Sequence, residues 1–483
     1  MTFDISVHHP EYDAFAPSWE LLRNAFEGED DIKRAGQKYL PLKNGLAKLM
    51  EDGSHRALAQ AAYDAYKARA EFPDLVALTV RGAVGTILDQ AAEIELPPEL
   101  EPLREKATRD GLTLEALHRR IATEVMLTGR YGLLPGIASD GSPYLAGYIA
   151  ESIINWDQDE ENVADFVVLD ESGYERDRAT NEWKAVEKYR ECFVEDGRYG
   201  ARVWTKGKEG WEVGEVVEAS DRKQRPLGFL PMVFVGSNDL TPDPDDVPLY
   251  GLAKLSVRIY QLDADLRQTL HYTSEPTPMV SGYDDPQEAI KNGQVPQGIG
   301  GTNIWVLPKD GKGEFLEFSG AGASAQHDEI QKAYDRAVMF GAQMLAEKGN
   351  ANESGEAKRV RLDSQHSTLK GIAMTSASGL EKALRNVAIW IGADPEKVKV
   401  TPNLDFFDHD LDAQTITAIV SAWQSAAISW KSAFDRLKAG GVVPEDRTAD
   451  EELALMDQEQ FGRDADPGDV LPDRQPDPEQ IDK

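Results

Sequence analysis

Residues 251–275 read GLAKLSVRIYQLDADLRQTLHYTSE, and Pro276 follows them directly. The apolar residues of this stretch recur at intervals of three and four, which is the spacing of one face of an α-helix. They are Leu252, Leu255, Ile259, Leu262, Leu266 and Leu270. A proline disfavours helical backbone in the residue before it, so the helix is predicted to end at Glu275. At about 20 residues, this helix would be roughly 30 Å long.

On the carboxyl side of this helix, short extended segments are followed by further helices. Residues 276–320 combine glycines with short apolar runs, which predicts short strands and turns. Apolar residues at helical spacing predict a second helix over 321–348, one face of which is formed by Ile330, Tyr334, Val338, Gly341 and Leu345. A polar segment, GNANESGE, follows at 349–356, within a loop predicted over 349–357. A longer helix that ends near Ile391, with its connection, is predicted over 358–402.

The region before residue 251 is predicted to contain a helical part and a β-rich part. Residues 10–135 have helical periodicity, with Thr113 as an N-cap and Gly129 as a helix stop. From 144 to 235 the apolar period changes to two, and turn signals at Asp196-Gly197 and Lys206-Gly207 separate the runs. This pattern predicts an antiparallel, hairpin-rich β insert within an N-terminal region that spans 1–250.

The end of the chain divides into a helical part and an acidic tail. Residues 403–445 have the pattern of two short helices, the second with Ser429 as its N-cap. From Pro444 to Lys483 there are 14 acidic and four basic residues, with repeated prolines. Such a segment buries little apolar surface, so 446–483 is predicted to be a disordered acidic tail.

The whole chain is strongly acidic. It has 85 acidic and 52 basic residues among 483, a formal net charge of −33. A surface of this kind repels polyanions, which argues against tight binding of nucleic acid. An acidic surface is also compatible with a channel wall along which DNA slides, because dense lysine and arginine contacts to phosphate would slow the DNA. Charge alone leaves open both a DNA conduit and a protein that never meets DNA.

Motifs for catalysis and for cofactor binding are missing from the sequence. There is no GxxxxGK[ST] phosphate loop, no HExxH and no GxSxG, and GIGGT at 298–302 is not a dinucleotide fingerprint. The single cysteine, Cys192, excludes an intrachain disulfide and a cysteine-based zinc site. The acidic runs at 157–162 and 243–246 lack EF-hand ligand spacing. We therefore expect a protein that is not an enzyme and has no metal site and no cofactor.

The sequence also indicates where the protein is made. No apolar run approaches the length of about 20 residues that a membrane helix needs. The first residues, MTFDISVHHPEYDAF, lack the basic start and apolar centre of a secretion signal. The expectation is assembly in the cytoplasm, with no membrane partner.

Several phrases resemble the portal proteins of tailed bacteriophages, and they span roughly residues 9 to 391. They are HPEYDAFAPSWELLRNAFEGEDDIKRAG (9–36), EVMLTGRYGLL (124–134), YIAESIINW (148–156), LHYTSEPTPMVSG (270–282), IWVLP (304–308) and FLEFSGAG (315–322). The order of helix, small β module, helix, polar loop and long helix from 251 to 391 is also similar to the stem, clip, stem, tunnel loop and wing of that family. One position departs from the family pattern, because Ala427 stands where a glycine is more usual.

The resemblance implies an α+β portal fold. Residues 1–250 would form the N-terminal wing, 251–275 the first stem helix, 276–320 a small α/β clip and 321–348 the second stem helix. Residues 349–357 would form the tunnel loop, 358–402 a wing helix and its connection, and 403–445 a helical, crown-like part.

The resemblance also implies particular site residues. The tunnel loop and its flanks would face DNA through Lys348, Asn350, Asn352, Ser354, Lys358, Arg359 and Arg361. The apolar face from Leu252 to Leu270 would lie in the interface between neighbouring subunits, since it is too apolar to stay in water. The clip would use Ile304, Trp305, Phe315 and Phe318.

The implied partners are those of a head–tail connector. The chain would form a homo-oligomeric ring, usually of twelve subunits, at a capsid vertex of the virion, after assembly in the cytoplasm of a host bacterium. Double-stranded DNA would pass through the channel, terminase and then the head–tail adaptor would dock, and the major capsid or scaffold protein would surround the ring.

Two other interpretations remain open. The first is an oligomeric adaptor or scaffold protein without a channel. The second is an enzyme whose site lies in the β-rich insert at 144–235 and has no recognisable motif.

Overall fold

The computed structural model describes residues 4–208, 210–221, 224–274, 277–295, 305–316, 321–345, 355–404, 406, 413–425, 427–439, 441–444 and 447–455. Only the backbone is described for 277–278, 315–316, 321, 341–345, 355–366, 413–415 and 439. The chain forms two compact units, Met1–Leu404 and Asp405–Lys483.

The amino-terminal part of the first unit is helical, as the periodicity predicts. Its helices are α1 (Pro10–Glu27), α2 (Glu29–Ala35), α3 (Asn44–Glu51), α4 (Arg56–Arg69), α5 (Leu75–Ile87), α6 (Pro102–Glu105) and α7 (Leu114–Thr128), with the short strand β1 (Glu93–Glu95) after α5. Trp19 of α1 is fully buried and donates its indole N–H to the carbonyl of Thr128, 2.9 Å away. This contact fixes α1 against the end of α7.

Both ends of α7 follow the prediction, but the helical region is shorter than expected. The Thr113 hydroxyl caps the amino end by accepting from the backbone N–H of Ala116, and Gly129 ends the helix with φ 72°. A Cβ at Gly129 would lie 2.6 Å from the carbonyl oxygen of Asp246, so only glycine fits there. The predicted helical boundary at 135 is wrong, because the chain reverses at Gly129 and Arg130 starts a strand.

The β-rich insert is antiparallel, as predicted. Its strands are β2 (Arg130–Ile137), β3 (Pro143–Ile149), β4 (Ile153–Gln158), β5 (Ala164–Asp170), β6 (Gly173–Arg176), β7 (Trp183–Val186), β8 (Lys188–Glu195), β9 (Arg198–Lys206), β10 (Trp211–Val213), β11 (Val217–Glu218) and β12 (Val233–Gly236). The larger sheet has the order β10-β9-β8-β5-β4, with β11 also paired to β9. A smaller sheet has the order β12-β2-β3, and β6 pairs with β7 as a separate ribbon.

The remainder of the first unit begins with a helical hairpin. Its elements are α8 (Tyr250–Thr273), β13 (Thr277–Ser281), α9 (Pro286–Lys291), β14 (Lys312–Leu316), α10 (Ala321–Leu345), α11 (Gly355–Ile391) and β15 (Lys399–Thr401). The helices predicted to start at 251, 321 and 358 are therefore observed within a few residues of those positions. Together with the antiparallel sheets, they make the fold α+β.

Helix α11 connects the helical and β-rich parts of this unit. It packs against α7, β2 and β12, and its residues Leu380 and Leu384 are fully buried. Gly379 lies so close to the small sheet that a Cβ there would be 2.4 Å from Cγ2 of Val235. The missing side chain allows helix and sheet to approach closely.

His118 of α7 is buried against α11, and its ring Nε2 lies 3.1 Å from the hydroxyl oxygen of Ser376. Burial lowers the pKa of His118 to about 4 from its ordinary value of 6.5. The His118 side chain takes up a proton near pH 6.5 in the unfolded chain but not in the folded chain. The stability that neutral His118 contributes is therefore fully present above pH 6.5 and is lost as the pH falls towards 4.

We expect the stability contributed by neutral His118 to fall by about 2 kcal/mol between pH 7 and pH 5. The measurement is chemical unfolding at both pH values for wild type and for His118→Gln, which does not titrate. The variant should lose less stability than wild type over this interval. Equal losses in both proteins would show that His118 does not resist protonation.

The second unit contains α12 (Ala413–Gln424) and α13 (Trp430–Ala439). Ser429 caps α13 as predicted, since its hydroxyl accepts from the backbone N–H of Ser432 at 3.2 Å. The predicted start of the disordered tail at 446 is wrong, because residues 449–455 are helical. The Trp430 indole donates to the carbonyl of Ala449 at 3.0 Å, and this contact between distant residues holds the start of the acidic segment. Residues 456–483 lie outside the described residues.

Candidate functional site

The candidate site is the helical hairpin formed by α8 and α10, together with the β-ribbon of β13 and β14 that lies between them in the chain. The two helices run antiparallel, because Gly251 at the start of α8 meets Phe340 near the end of α10. The Phe340 ring lies 2.9 Å from the position that a Cβ on Gly251 would occupy. Each helix is about 36 Å long.

Polar contacts attach the middle of α8 to the amino-terminal helices. The Tyr66 hydroxyl donates to Oδ1 of Asp265 at 2.6 Å, and the backbone N–H of Glu71 donates to Oδ2 of Asp263 at 2.8 Å. Arg267 forms ion pairs with both Glu71 and Asp263, at 2.6 and 2.7 Å. Burial, and then the neighbouring Asp265 carboxylate, raise the pKa of Tyr66, which therefore stays a hydrogen-bond donor. The sequence did not reveal the contacts with Tyr66 and Glu71, because they join residues far apart in the chain.

Part of the predicted interface stripe on α8 is buried inside the subunit itself. Leu252 and Ile259 are each only 1% exposed within the single chain, so the prediction that a neighbouring copy contacts them is wrong. The physical reason is that four helices of the same chain, α1, α4, α5 and α10, already pack against α8. Leu255, Leu262 and Leu266 are half-buried, and Leu270 is 49% exposed.

Helix α10 is covered along a narrow line only. Its buried residues are Ile330, Ala333 and Ala337, which follow one another at intervals of three and four. Val338, which the sequence pattern places on the same face as Ile330, is instead 57% exposed. Small side chains at two of these three positions allow close packing on this line, and most of the described circumference of α10 remains in solvent.

Large apolar side chains are exposed at both ends of the hairpin. Val338, Met339 and Phe340 are exposed near the end of α10, while Leu270 and Tyr272 are exposed near the end of α8. Clustered exposure of this kind marks surfaces that contact another protein. The periodicity could not identify Met339 and Phe340, because neither falls on the face that was predicted to be apolar.

The segment between α8 and α10 in the chain forms a small folded module around the ribbon of β13 and β14. Strands β13 and β14 pair antiparallel from Thr277 opposite Leu316 to Ser281 opposite Lys312. Asp285 caps α9 by accepting from two backbone N–H groups. Trp305 packs over β14, where its ring lies 3.2 Å from the position of a Cβ on Gly313. Of the other predicted clip residues, Phe315 lies in β14 with only its backbone described, and Ile304 and Phe318 lie outside the described residues.

None of the seven residues predicted to face DNA has a described side chain. Lys348, Asn350, Asn352 and Ser354 lie outside the described residues. Lys358, Arg359 and Arg361 belong to the first turns of α11, where only the backbone is described. Their role therefore stays a prediction.

The β insert holds a groove of about 820 Å³ between its two sheets, lined by Tyr144, Tyr148, Tyr199 and Trp390 among others. Its carboxylate Glu171 accepts from the Tyr148 hydroxyl at 2.8 Å and pairs with Arg190 at 2.6 Å. Although burial opposes ionisation, these hydrogen bonds lower the pKa of Glu171. The carboxylate is therefore ionised and held by its partners, rather than free to act as a base.

The described part of the chain contains no group of three or more histidine, cysteine, aspartate and glutamate side chains that could hold a metal ion. None of its helices is long and apolar enough to cross a membrane.

Comparison with solved structures finds distant similarities. The neck of a native GTA particle computed with C12 symmetry is 14% identical, with 76% of this chain and 89% of that chain covered and a TM-score of 0.37. The neck of an empty GTA particle computed with C6 symmetry is 13% identical, with coverage of 83% and 94% and a TM-score of 0.35. At these TM-scores the similarities carry no argument about fold or function.

Comparison of sequences gives one family match. No curated protein matches the chain. Residues 248–391 match the family model described as a domain of unknown function, DUF4055. The match begins just before α8 and ends with α11, so it spans the helical hairpin, its ribbon and the long helix.

Proposed function

We propose that this chain is a phage portal protein, a ring-shaped channel at a capsid vertex through which double-stranded DNA enters and leaves the head. In this proposal the chain performs no catalysis. The observation that carries it is the hairpin of α8 and α10, which is anchored on one side and exposed on the other. The portal-like phrases of the sequence support the same conclusion.

A ring explains why so much of the hairpin is left uncovered. Each α10 has a narrow buried line and exposed apolar residues at 338–340, which a neighbouring hairpin would cover. Side-by-side packing of identical hairpins around an axis is a heterologous contact, and such contacts close into rings when the rotation permits. The remaining polar faces of the hairpins would then line the channel.

The net charge of −33 is compatible with passage of DNA through a channel and not with tight binding of DNA to the protein surface. An acidic wall keeps phosphate contacts few, so that DNA can move. Free rings should accordingly bind DNA weakly.

The ribbon end of the hairpin is the proposed docking point for terminase and later for the head–tail adaptor. Met279, Ile290 and Val306 are all exposed on this small module, and Val306 is the most exposed at 78%. Exposed apolar residues on a compact module are typical of a surface that receives another protein. Contact with the major capsid or scaffold protein is proposed for the outer parts of the ring.

Electron microscopy of the purified full chain tests the proposal. We expect closed rings with a central pore, and light scattering should give a mass of about 640 kDa for twelve chains of 53.3 kDa each. Oligomers without a pore would favour an adaptor or scaffold protein. A monomer at every concentration and salt would exclude the ring.

A further inference from the structure

The inner strand β5 of the larger sheet is flanked by two segments of very different composition. Strand β5 (Ala164–Asp170) is preceded by residues 157–163, which are the last two residues of β4 and the turn after it and are called the acidic turn. It is followed by the ribbon of β6 and β7 at residues 173–186, the β arm. The seven residues of β5 separate the two by about 20 Å. The arm and the acidic turn of one chain therefore lie at opposite ends of β5.

The β arm exposes two aromatic residues and an arginine on one face. Arg176 lies opposite Trp183 in the ribbon, and Tyr174 lies opposite Ala185. Directly opposed residues share a face and so do alternate residues along a strand, which places Tyr174, Arg176 and Trp183 together. Tyr174 is 74% exposed and Trp183 is 66% exposed. Arg176 is exposed as well, and so is Arg178, which lies between β6 and β7. Aromatic residues and arginine are the residue types that concentrate in the centres of protein interfaces.

The acidic turn carries charge of the opposite sign to Arg176 and Arg178 of the arm. Residues 157–163 read DQDEENV and hold four acidic residues and no basic one. Asp159 is used inside the turn, where it accepts from the backbone N–H groups of Glu161 and Val163. Glu160 and Glu161 are exposed, and the next apolar residue, Val163, is 51% exposed. The turn thus offers free carboxylates beside an apolar side chain.

We propose that the β arm of one copy docks on the acidic turn of the next copy, with Arg176 and Arg178 facing Glu160 and Glu161 and Trp183 packing on Val163. Because the two surfaces lie at opposite ends of one sheet, the contact is head-to-tail and continues from copy to copy. Its place in a closed ring rests on the proposed portal function, but the contact itself does not.

Cysteine cross-linking tests the contact directly. The native Cys192 is fully buried and burial raises its pKa to about 11, so it stays a protonated thiol that reagents do not reach. In the full chain, Arg178→Cys combined with Glu160→Cys should give covalent oligomers on oxidation, at least about tenfold more than either single variant, since contacting cysteines have a high effective concentration. The matched control is Arg178→Cys with Ser142→Cys, in the exposed β2–β3 turn, which should stay uncrosslinked.

Charge reversal supplies an independent test. Arg176→Glu/Arg178→Glu and Glu160→Lys/Glu161→Lys should each raise the concentration needed for half-assembly by about tenfold. All four changes in one chain should restore assembly, because the reversed arm again meets a reversed turn. Thermal unfolding should be similar in all variants, since the altered side chains are exposed.

The outcomes separate this inference from the proposed function. Rings with a pore but no cross-link between 178 and 160 would overturn the arm contact and leave the portal proposal standing. Cross-linked oligomers without a pore would support the arm contact and overturn the portal proposal. Self-cross-linking of the single Arg178→Cys variant would show a head-to-head contact and also overturn the inference.

Discussion

Deleting residues 350–355 should leave ring assembly intact and reduce DNA-filled heads by at least about tenfold. The segment NANESG joins α10 to α11 and contains small polar residues. In the proposed ring, this loop would contact passing DNA through backbone N–H groups and the flanking basic residues, without reading its sequence. A shortened loop would lose that contact, while the apolar faces that join the subunits are unchanged.

The measurement is particle production from a prophage that lacks this gene and receives each variant in trans, with full and empty heads counted by microscopy. Arg359→Glu/Arg361→Glu should also reduce filled heads, because it replaces phosphate-attracting charges at the loop. The matched control is Lys431→Glu/Arg436→Glu, which makes the same charge change on α13. Normal numbers of filled heads from the loop deletion would remove the tunnel-loop assignment.

Helix positions could be predicted because their causes are local in sequence. The apolar spacing from Leu252 to Leu270 and the proline after Glu275 predict a helix that the structure places at Tyr250–Thr273. Thr113, Gly129 and Ser429 act at helix ends as expected, since capping depends on side chains within a few residues. The period-two pattern likewise predicts the antiparallel strands of the β insert.

Which surface each helix covers could not be predicted, because periodicity states which residues share a face and not what lies against it. Leu252 and Ile259 belong to the predicted stripe but are buried inside their own chain. The pairing of Glu93–Glu95 with Lys399–Thr401 joins segments about 300 residues apart. The helical start of the acidic tail depends on Trp430, nineteen residues before its hydrogen-bond partner.

The second large effect concerns Arg23, whose guanidinium holds two carboxylates together. It binds both oxygens of Glu124 at 3.1 and 2.8 Å and both oxygens of Glu151 at 3.0 and 2.9 Å. The side chains of Arg23, Glu124 and Glu151 are 24, 13 and 27% exposed. Although burial opposes its charge, the hydrogen bonds of the two glutamates raise the pKa of Arg23. This network joins α1, α7 and the turn before β4.

Replacing Arg23 with methionine should lower the free energy of unfolding by about 3 kcal/mol at pH 7, because two poorly solvated carboxylates then face each other without a cation. Partial exposure keeps the loss at the low end of the usual range for a broken buried pair. Chemical unfolding of both proteins at pH 7 measures this loss.

Two further variants separate charge repulsion from lost packing. Adding Glu124→Gln and Glu151→Gln to Arg23→Met should recover most of the stability at pH 7, because the neutral amides no longer repel each other. The matched control is Arg34→Met, which breaks an ion pair with Asp31 whose arginine is 75% exposed, and should cost less than about 1 kcal/mol. If the triple variant were as unstable as Arg23→Met alone, the stabilising contribution of Arg23 would come from packing of its alkyl stem rather than from its charge.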